Sequence, residues 1–238
     1  MTDSVKSSLT LGASICAGLI VMAWVLGASA IRFKEYERFV AVKGLSEREV
    51  PADIALWPIR FTVASNDLGA LYAQLDGDSQ QIQAFLTAKG FDKSEITVAA
   101  PTVTDKLAQQ YGNAERVQFR YTASRTITIY SSKIDQVRAT ENELVGLGKK
   151  GIAFGGAEYG QRSEFLFTKL NDIKPAMIEE ATRKAREVAE KFAADSSSRL
   201  GKIRSANQGQ FTVTDRDSNT PHIKNVRVVV TVEYYLSD

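Results

Sequence analysis

Tyr121-Thr122-Ala123-Ser124-Arg125-Thr126-Ile127-Thr128-Ile129-Tyr130 alternates apolar and polar side chains at period two. That is the pattern of a strand with one buried and one wet face. Extended backwards to Arg116, the run puts Val117, Phe119, Tyr121, Ala123, Ile127 and Ile129 on the core side, with Gln118, Arg120, Thr122, Ser124, Thr126 and Thr128 opposite. Arg125 interrupts the apolar face. A charge in that position must reach an acid, a carbonyl or a neighbouring subunit, because an unpaired buried charge costs several kcal/mol.

Upstream, Phe39 to Lys43 and Ile54 to Val63 read as strands joined by the charged stretch Ser46-Glu47-Arg48-Glu49. Ala55, Trp57, Ile59, Phe61 and Val63 share a face of the second, and Pro58 argues for an edge or a bulge. Leu68, Leu71, Leu75, Ile82, Phe85 and Leu86 hold a helical phase, capped by Asn66 or Asp67 and stopped by Gly90. Glu95 to Val103 reads as a further strand.

Downstream, Ser132 is placed to cap a helix carrying Ile134, Val137, Leu144 and Val145, which ends in Gly146-Leu147-Gly148 and Gly151. Those glycines follow a helix, whereas a phosphate cradle precedes one, so they read as a helix end. Short strands are expected at Ile152 to Phe154 and Glu164 to Phe167. A long helix over Asn171 to Ala194 has Ile173, Met177, Ala181, Ala185, Val188 and Phe192 as its expected buried stripe. Glu179 and Glu180 each have a base four residues on, so they read as solvated flanks. The last section is a hairpin, Gln210 to Thr214 and Asn225 to Leu236, with Val226, Val228, Val230, Val232 and Tyr234 on the core face. Strands in pairs with helices between them give an α+β class: two small two-layer α/β sandwiches with mostly antiparallel sheets.

The opposite end of the chain sets location. From Leu9 to Ile31 no side chain is charged, and such a run reaches roughly 34 Å as a helix against the ~30 Å hydrocarbon core of a bilayer. It reads as a transmembrane anchor over residues 9–31 behind a cytoplasmic tail at 1–8. A signal segment cut after Ala30, following Gly27-Ala28-Ser29, is the other reading. The expected location is the inner membrane, single-pass, with the C-terminal domain in the periplasm.

Composition narrows the chemistry. A formal charge of +2 with acids and bases interspersed gives no nucleic-acid footprint. Cys16, the only cysteine, lies in the apolar run, so nothing after it offers a thiol nucleophile or a disulfide. His222 is the only histidine, which removes a two-histidine metal site, and it reads as a solvated loop residue, which leaves no histidine for a Ser/His/Asp triad of ordinary form. Asp76-Gly77-Asp78-Ser79 faintly resembles a calcium loop without its later ligands, and Asp215, Asp217 and Asn219 read as turn chemistry. No catalytic, cofactor or metal residue is assigned, and no cofactor is expected.

Several stretches together resemble the SIMPL domain family, which includes periplasmic immunogenic proteins of Gram-negative bacteria. Val42-Lys43-Gly44 with Val50-Pro51-Ala52-Asp53-Ile54-Ala55 is similar to that family's strand, turn and strand. The Tyr121-to-Ile129 strand has Arg125 where the family usually has asparagine. Ala181-Thr182-Arg183-Lys184-Ala185 with Ala189, then Leu200-Gly201-Lys202-Ile203, resembles its alanine-rich helix and exit. Ser46, Ala52 and Ser196-Ser197-Ser198 depart from the pattern. The resemblance implies one discontinuous subdomain, 32–103 plus 204–238, around a central one, 104–203. It also implies homo-oligomers in the periplasm, and it brings no catalytic residues. The expected function is a non-enzymatic, membrane-tethered envelope scaffold, binding or stress-associated factor, with Arg125 as an oligomer or core ion-pair residue. The alternative is a small-ligand or metal-assisted binding or enzymatic domain with its site in a cleft between the subdomains.

Overall fold

The computed structural model describes residues 2–35, 38–108, 118–155 and 162–237, and within the first helix the side chains of 12 and 14–29. Arg116 and Val117, expected to begin the central strand, lie outside those residues. The architecture is α+β, and every pairing defined residue by residue is antiparallel. Two compact units are present: Met1–Glu47 with Ile173–Thr212 and Arg227–Asp238, and Arg48–Asp172 with Val213–Val226.

The second unit is built on one long pairing. In the second unit, β2 (Ile54–Ser65) and β5 (Tyr121–Ser131) run antiparallel from Ala55 opposite Ser131 to Ser65 opposite Tyr121. Chain on both sides of residue 103 is thereby joined in a single sheet. β3 (Ile96–Val98) and β4 (Thr102–Asp105) pair with β5, while β6 (Ala153–Phe154) and β7 (Glu164–Leu166) pair with β2. The expected Glu95–Val103 strand is broken at Ala99-Ala100-Pro101, since proline has no N–H and constrains the residue before it.

Helices α2 (Leu68–Ala88) and α3 (Ile134–Glu143) pack on this sheet. Trp57, Ile59, Phe61, Ala123, Ile127 and Ile129 of the strands share the core with Leu71, Leu75, Ile82 and Leu86 of α2. Leu68, expected in that stripe, is exposed in the first turn. Asp67 caps α2, its Oδ1 accepting from the Ala70 N–H at 2.7 Å, and Gly90 ends it at φ +87, where a Cβ is strained. At α3 the N-cap is Lys133 and no side chain caps the first turn, so Ser132 does not have the expected role; the Ser131 Oγ accepts from the Lys133 N–H at 3.0 Å just ahead of the helix. After α3 comes the short α4 (Val145–Gly148), and Gly151 at φ +99 ends the glycine-rich stretch.

Pro58 sits in the middle of a paired strand and is still tolerated. The Arg60 carbonyl accepts from the Gly155 N–H at 2.9 Å, so alternate residues of β2, Pro58 included, direct their backbone groups away from β5. On that side β7 pairs Ile54 to Leu56 and β6 pairs Phe61 and Thr62. The absent N–H therefore falls between them, where no ladder bond is lost.

A second sheet has the order β1 (Phe39–Pro51), β10 (Ile223–Ser237), β8 (Arg199–Gln208), and β9 (Thr212–Asp215) also pairs with β10. The charged Ser46-to-Glu49 stretch continues β1 instead of joining two strands. Ser46 is buried, and its hydroxyl donates to Glu180 Oε2 at 2.9 Å. Helix α5 (Leu170–Asp195) buries Met177, Ala181, Ala185, Ala189 and Ala193. Val188 and Phe192, expected in the stripe, are 39 % and 55 % exposed. The cause is close approach: a Cβ on Gly44 of β1 would stand 1.8 Å from the Ala181 carbonyl oxygen. Only alanines facing a glycine allow that spacing, so the larger side chains turn outward.

Helix α1 (Thr2–Glu35) exposes Ile15, Leu19, Ile20, Val21, Met22, Trp24, Val25 and Leu26. Among the described residues, no helix is long and apolar enough to cross a membrane, so the expected transmembrane helix is not established by the fold.

Candidate functional site

Two cavities flank the turn between β9 and β10, and α3 lines both. The turn is rigid. Asp217 Oδ1 accepts from the N–H groups of Asn219 and Thr220, each at 2.8 Å. Its Oδ2 accepts from Arg216 Nε at 3.1 Å and from the Thr220 hydroxyl. The Thr220 hydroxyl, then Arg216, hold this carboxyl far below the usual carboxylate range. Asp215 pairs with the buried Lys224, Arg216 reaches Glu49 at 3.4 Å, and the His222 carbonyl accepts from the Ala52 N–H at 2.8 Å. Asp215 and Asp217 thus serve the turn, and Asn219 contributes its backbone N–H to it. Among the described residues no group of three His, Cys, Asp or Glu is placed to hold a metal ion.

The smaller cavity, about 460 Å³, is lined by Ser132, Lys133, Asp135, Gln136 and His222 among others. His222 is not the solvated loop residue expected. It is half-buried and meets Phe165 edge-on, with ring centroids 6.0 Å apart at 70°. Burial lowers its pKa first, then the Arg138 charge, with Asp135 opposing. The larger cavity, about 600 Å³, is lined by Glu141, Arg162, Ser163, Ser218, Asn219 and Pro221. Burial raises the Glu141 pKa, against a hydrogen bond from the Ser163 side chain and the charge of Arg138. A cleft holding titratable groups shifted by desolvation is a physical mark of a functional site.

The residues singled out from sequence lie elsewhere. Arg125 Nη1 donates to Asp76 Oδ1 at 2.8 Å, tying β5 to α2, with the arginine side chain 12 % exposed and the aspartate 59 %. Its Nε is buried without a hydrogen-bond partner. Asp76-Gly77-Asp78-Ser79 is helical, inside α2, so it forms no calcium loop. Glu180 pairs with Lys184 at 2.8 Å.

Sequence reasoning missed a second polar knot. The Ser131 hydroxyl donates to Glu95 Oε1 at 2.6 Å, and Lys133 Nζ donates to Glu95 Oε2 at 2.8 Å, Asp92 Oδ2 at 3.2 Å and the Gly90 carbonyl at 2.9 Å. Burial would raise the Glu95 carboxyl, but the bonds from Lys133, Ser131 and the Asp92 N–H outweigh it and bring it below its ordinary value. Glu95 and Asp92 raise the Lys133 pKa. A lysine held in its charged form is a poor general base for Ser131, so the knot fastens α3 to the sheet.

No curated protein matches the chain. The profile of the SIMPL family, described as a protein of unknown function (DUF541), matches residues 40–234. That match covers both units and most of the sequence, and the chain belongs to the SIMPL family.

Proposed function

We propose that the chain is a membrane-tethered SIMPL domain. In this reading residues 9–31 hold it in the inner membrane and its C-terminal part lies in the periplasm, where copies assemble into a non-enzymatic envelope scaffold or binding platform. The observation that carries the reading is the surface of α1. Leu19, Ile20, Val21 and Met22 follow one another around the helix and are all at least 58 % exposed. A helix apolar on every side finds its favourable surroundings in lipid or inside a larger core. The described stretch 14–29 reaches only ~24 Å, while the uncharged run Leu9–Ile31 around it reaches ~34 Å.

Assembly is supported by the second sheet. β1 and β8 lie on either side of β10, so each keeps an edge with no strand against it among the described residues. Unpaired edges are templates for a further strand. Arg125, with one nitrogen on Asp76 and another buried unpaired, enters this reading as a residue that contributes to assembly.

Membrane fractionation of the full chain tests the tether. The protein should stay with the pellet in alkaline carbonate, and Val21→Asp should release it. Extraction by salt alone, or a mature N-terminus at Ile31, overturns the anchor. The mass of the detergent-extracted protein tests assembly: a monomer at every concentration ends that part of the proposal. A mass and melting temperature unchanged by Arg125→Ala remove Arg125 from it.

A further inference from the structure

We infer that the cavity between α3 and the β9–β10 turn binds a small zwitterion carrying one ammonium and one carboxylate group, as a short peptide does through its two termini. This goes beyond the scaffold reading and does not depend on the membrane tether.

The argument starts from Glu141. It continues the apolar stripe of α3, after Ile134 and Val137 and before Leu144, and is half withdrawn from water. The Ser163 side chain and the Arg138 charge favour its charged form, and it forms no ion pair within 4.0 Å among the described residues. A desolvated carboxylate without an ion-pair partner leaves acceptor capacity that an ammonium group would fill. Arg162 lines the same cavity and makes no hydrogen bond or ion pair with a described residue. Its guanidinium presents the planar donor fork that suits a carboxylate.

Two opposite charges thus share one cavity without neutralising each other. A simple anion would meet Glu141 and a simple cation would meet Arg162, whereas a zwitterion satisfies both. Ser163, Ser218 and Asn219 add hydrogen-bonding groups, and Pro221 adds an apolar surface for the ligand's backbone. The wall carrying Ser218, Asn219 and Pro221 is preorganised by Asp217, which lowers the ordering cost of binding. At about 600 Å³ the cavity falls within the range of small-molecule sites.

Two further cavities among the described residues lack this combination. The groove of about 680 Å³ between α2 and β3 carries Lys93 and no acid. Beside His222, the Lys133 ammonium is already bonded to Glu95, Asp92 and a carbonyl.

Calorimetric titration of the full chain in detergent with L-alanyl-L-alanine, its N-acetyl derivative and its C-terminal amide tests the inference. The free dipeptide should bind one to one, and each blocked form at least ~10-fold more weakly. Arg162→Gln, at an exposed position, should weaken the free dipeptide ~10-fold and erase its advantage over the amide. Glu141→Gln should erase the advantage over the acetylated form. Should Glu141→Gln melt early, Ser218→Trp replaces it, filling the cavity and abolishing binding. No saturable binding at millimolar dipeptide, equal binding of the blocked forms, or affinity that survives Arg162→Gln and Ser218→Trp overturns the proposal.

Discussion

Asp78 and Glu141 occupy helix positions where the stripe calls for an apolar side chain, and each departs from its ordinary pKa for the same reason. Asp78 lies between Leu75 and Ile82 on the buried side of α2, where burial raises its carboxyl above 3.8. A raised folded value means that the native state prefers the protonated acid. The stabilising contribution is complete below the unfolded value of 3.8 and is lost as pH rises through the folded value. At neutral pH Asp78 therefore weakens the fold. Asp78→Asn should raise the melting temperature at pH 7, with the gain disappearing once the medium falls below 3.8. A difference that is constant across that range would show that the site responds to shape and not to charge. Arg125 breaks a strand face in the same way, but it meets an exposed aspartate, so screening by solvent limits what the pair itself contributes. Much of its value is the packing of its stem, and Arg125→Ala should cost about 1–2 kcal/mol in chemical denaturation.

The contact between α5 and β1 concentrates the packing demand of the first unit. Ala185→Phe should overpack the ridge by about 1–3 kcal/mol. Gly44→Ala should be worse than its one added carbon suggests, because the atom it meets is the Ala181 carbonyl oxygen, which yields only if the helix moves. Paired thermal melts check both, and an unchanged melting temperature for Gly44→Ala would mean that the helix shifts at little cost. Elements with one buried face were legible in the sequence: the alternation in β2, β5 and β10, and the stripe of α2, follow directly from burial. On α5, Val188 and Phe192 misled because hydrophobicity alone does not report how closely two backbones approach. β8 left no signal, since nearly all its residues are exposed and no alternation marks a core side. Of the candidate site, the turn chemistry around Asp217 was readable from Asp, Asn, Ser and Pro in a cluster. Glu141 was readable in principle as an acid in the Ile134, Val137, Leu144 series. Its meeting with Ser163 and the β9–β10 turn is tertiary, and no local pattern announces it.

For the whole molecule, acid acts in two directions. Protonation of Asp78 and Glu141 favours the native state as pH falls, while His222 opposes them. Burial and Arg138 depress its folded pKa below 6.5, so its contribution is present above 6.5 and lost as pH drops through the folded value. Melting temperature against pH should therefore decline from 6.5 downward in the wild type and flatten over that interval in His222→Gln. The same slope in both would assign the decline to other groups. The strand order carries a separate consequence for how the chain is made. β10 is synthesised after the other described strands, yet it is the middle one of its sheet, between β1 and β8. Until it emerges, those two have no described strand to pair with, and the first unit stays open while the second lacks only 213–226. Vectorial synthesis thus leaves a window in which the edges of β1 and β8 stand open to any other strand.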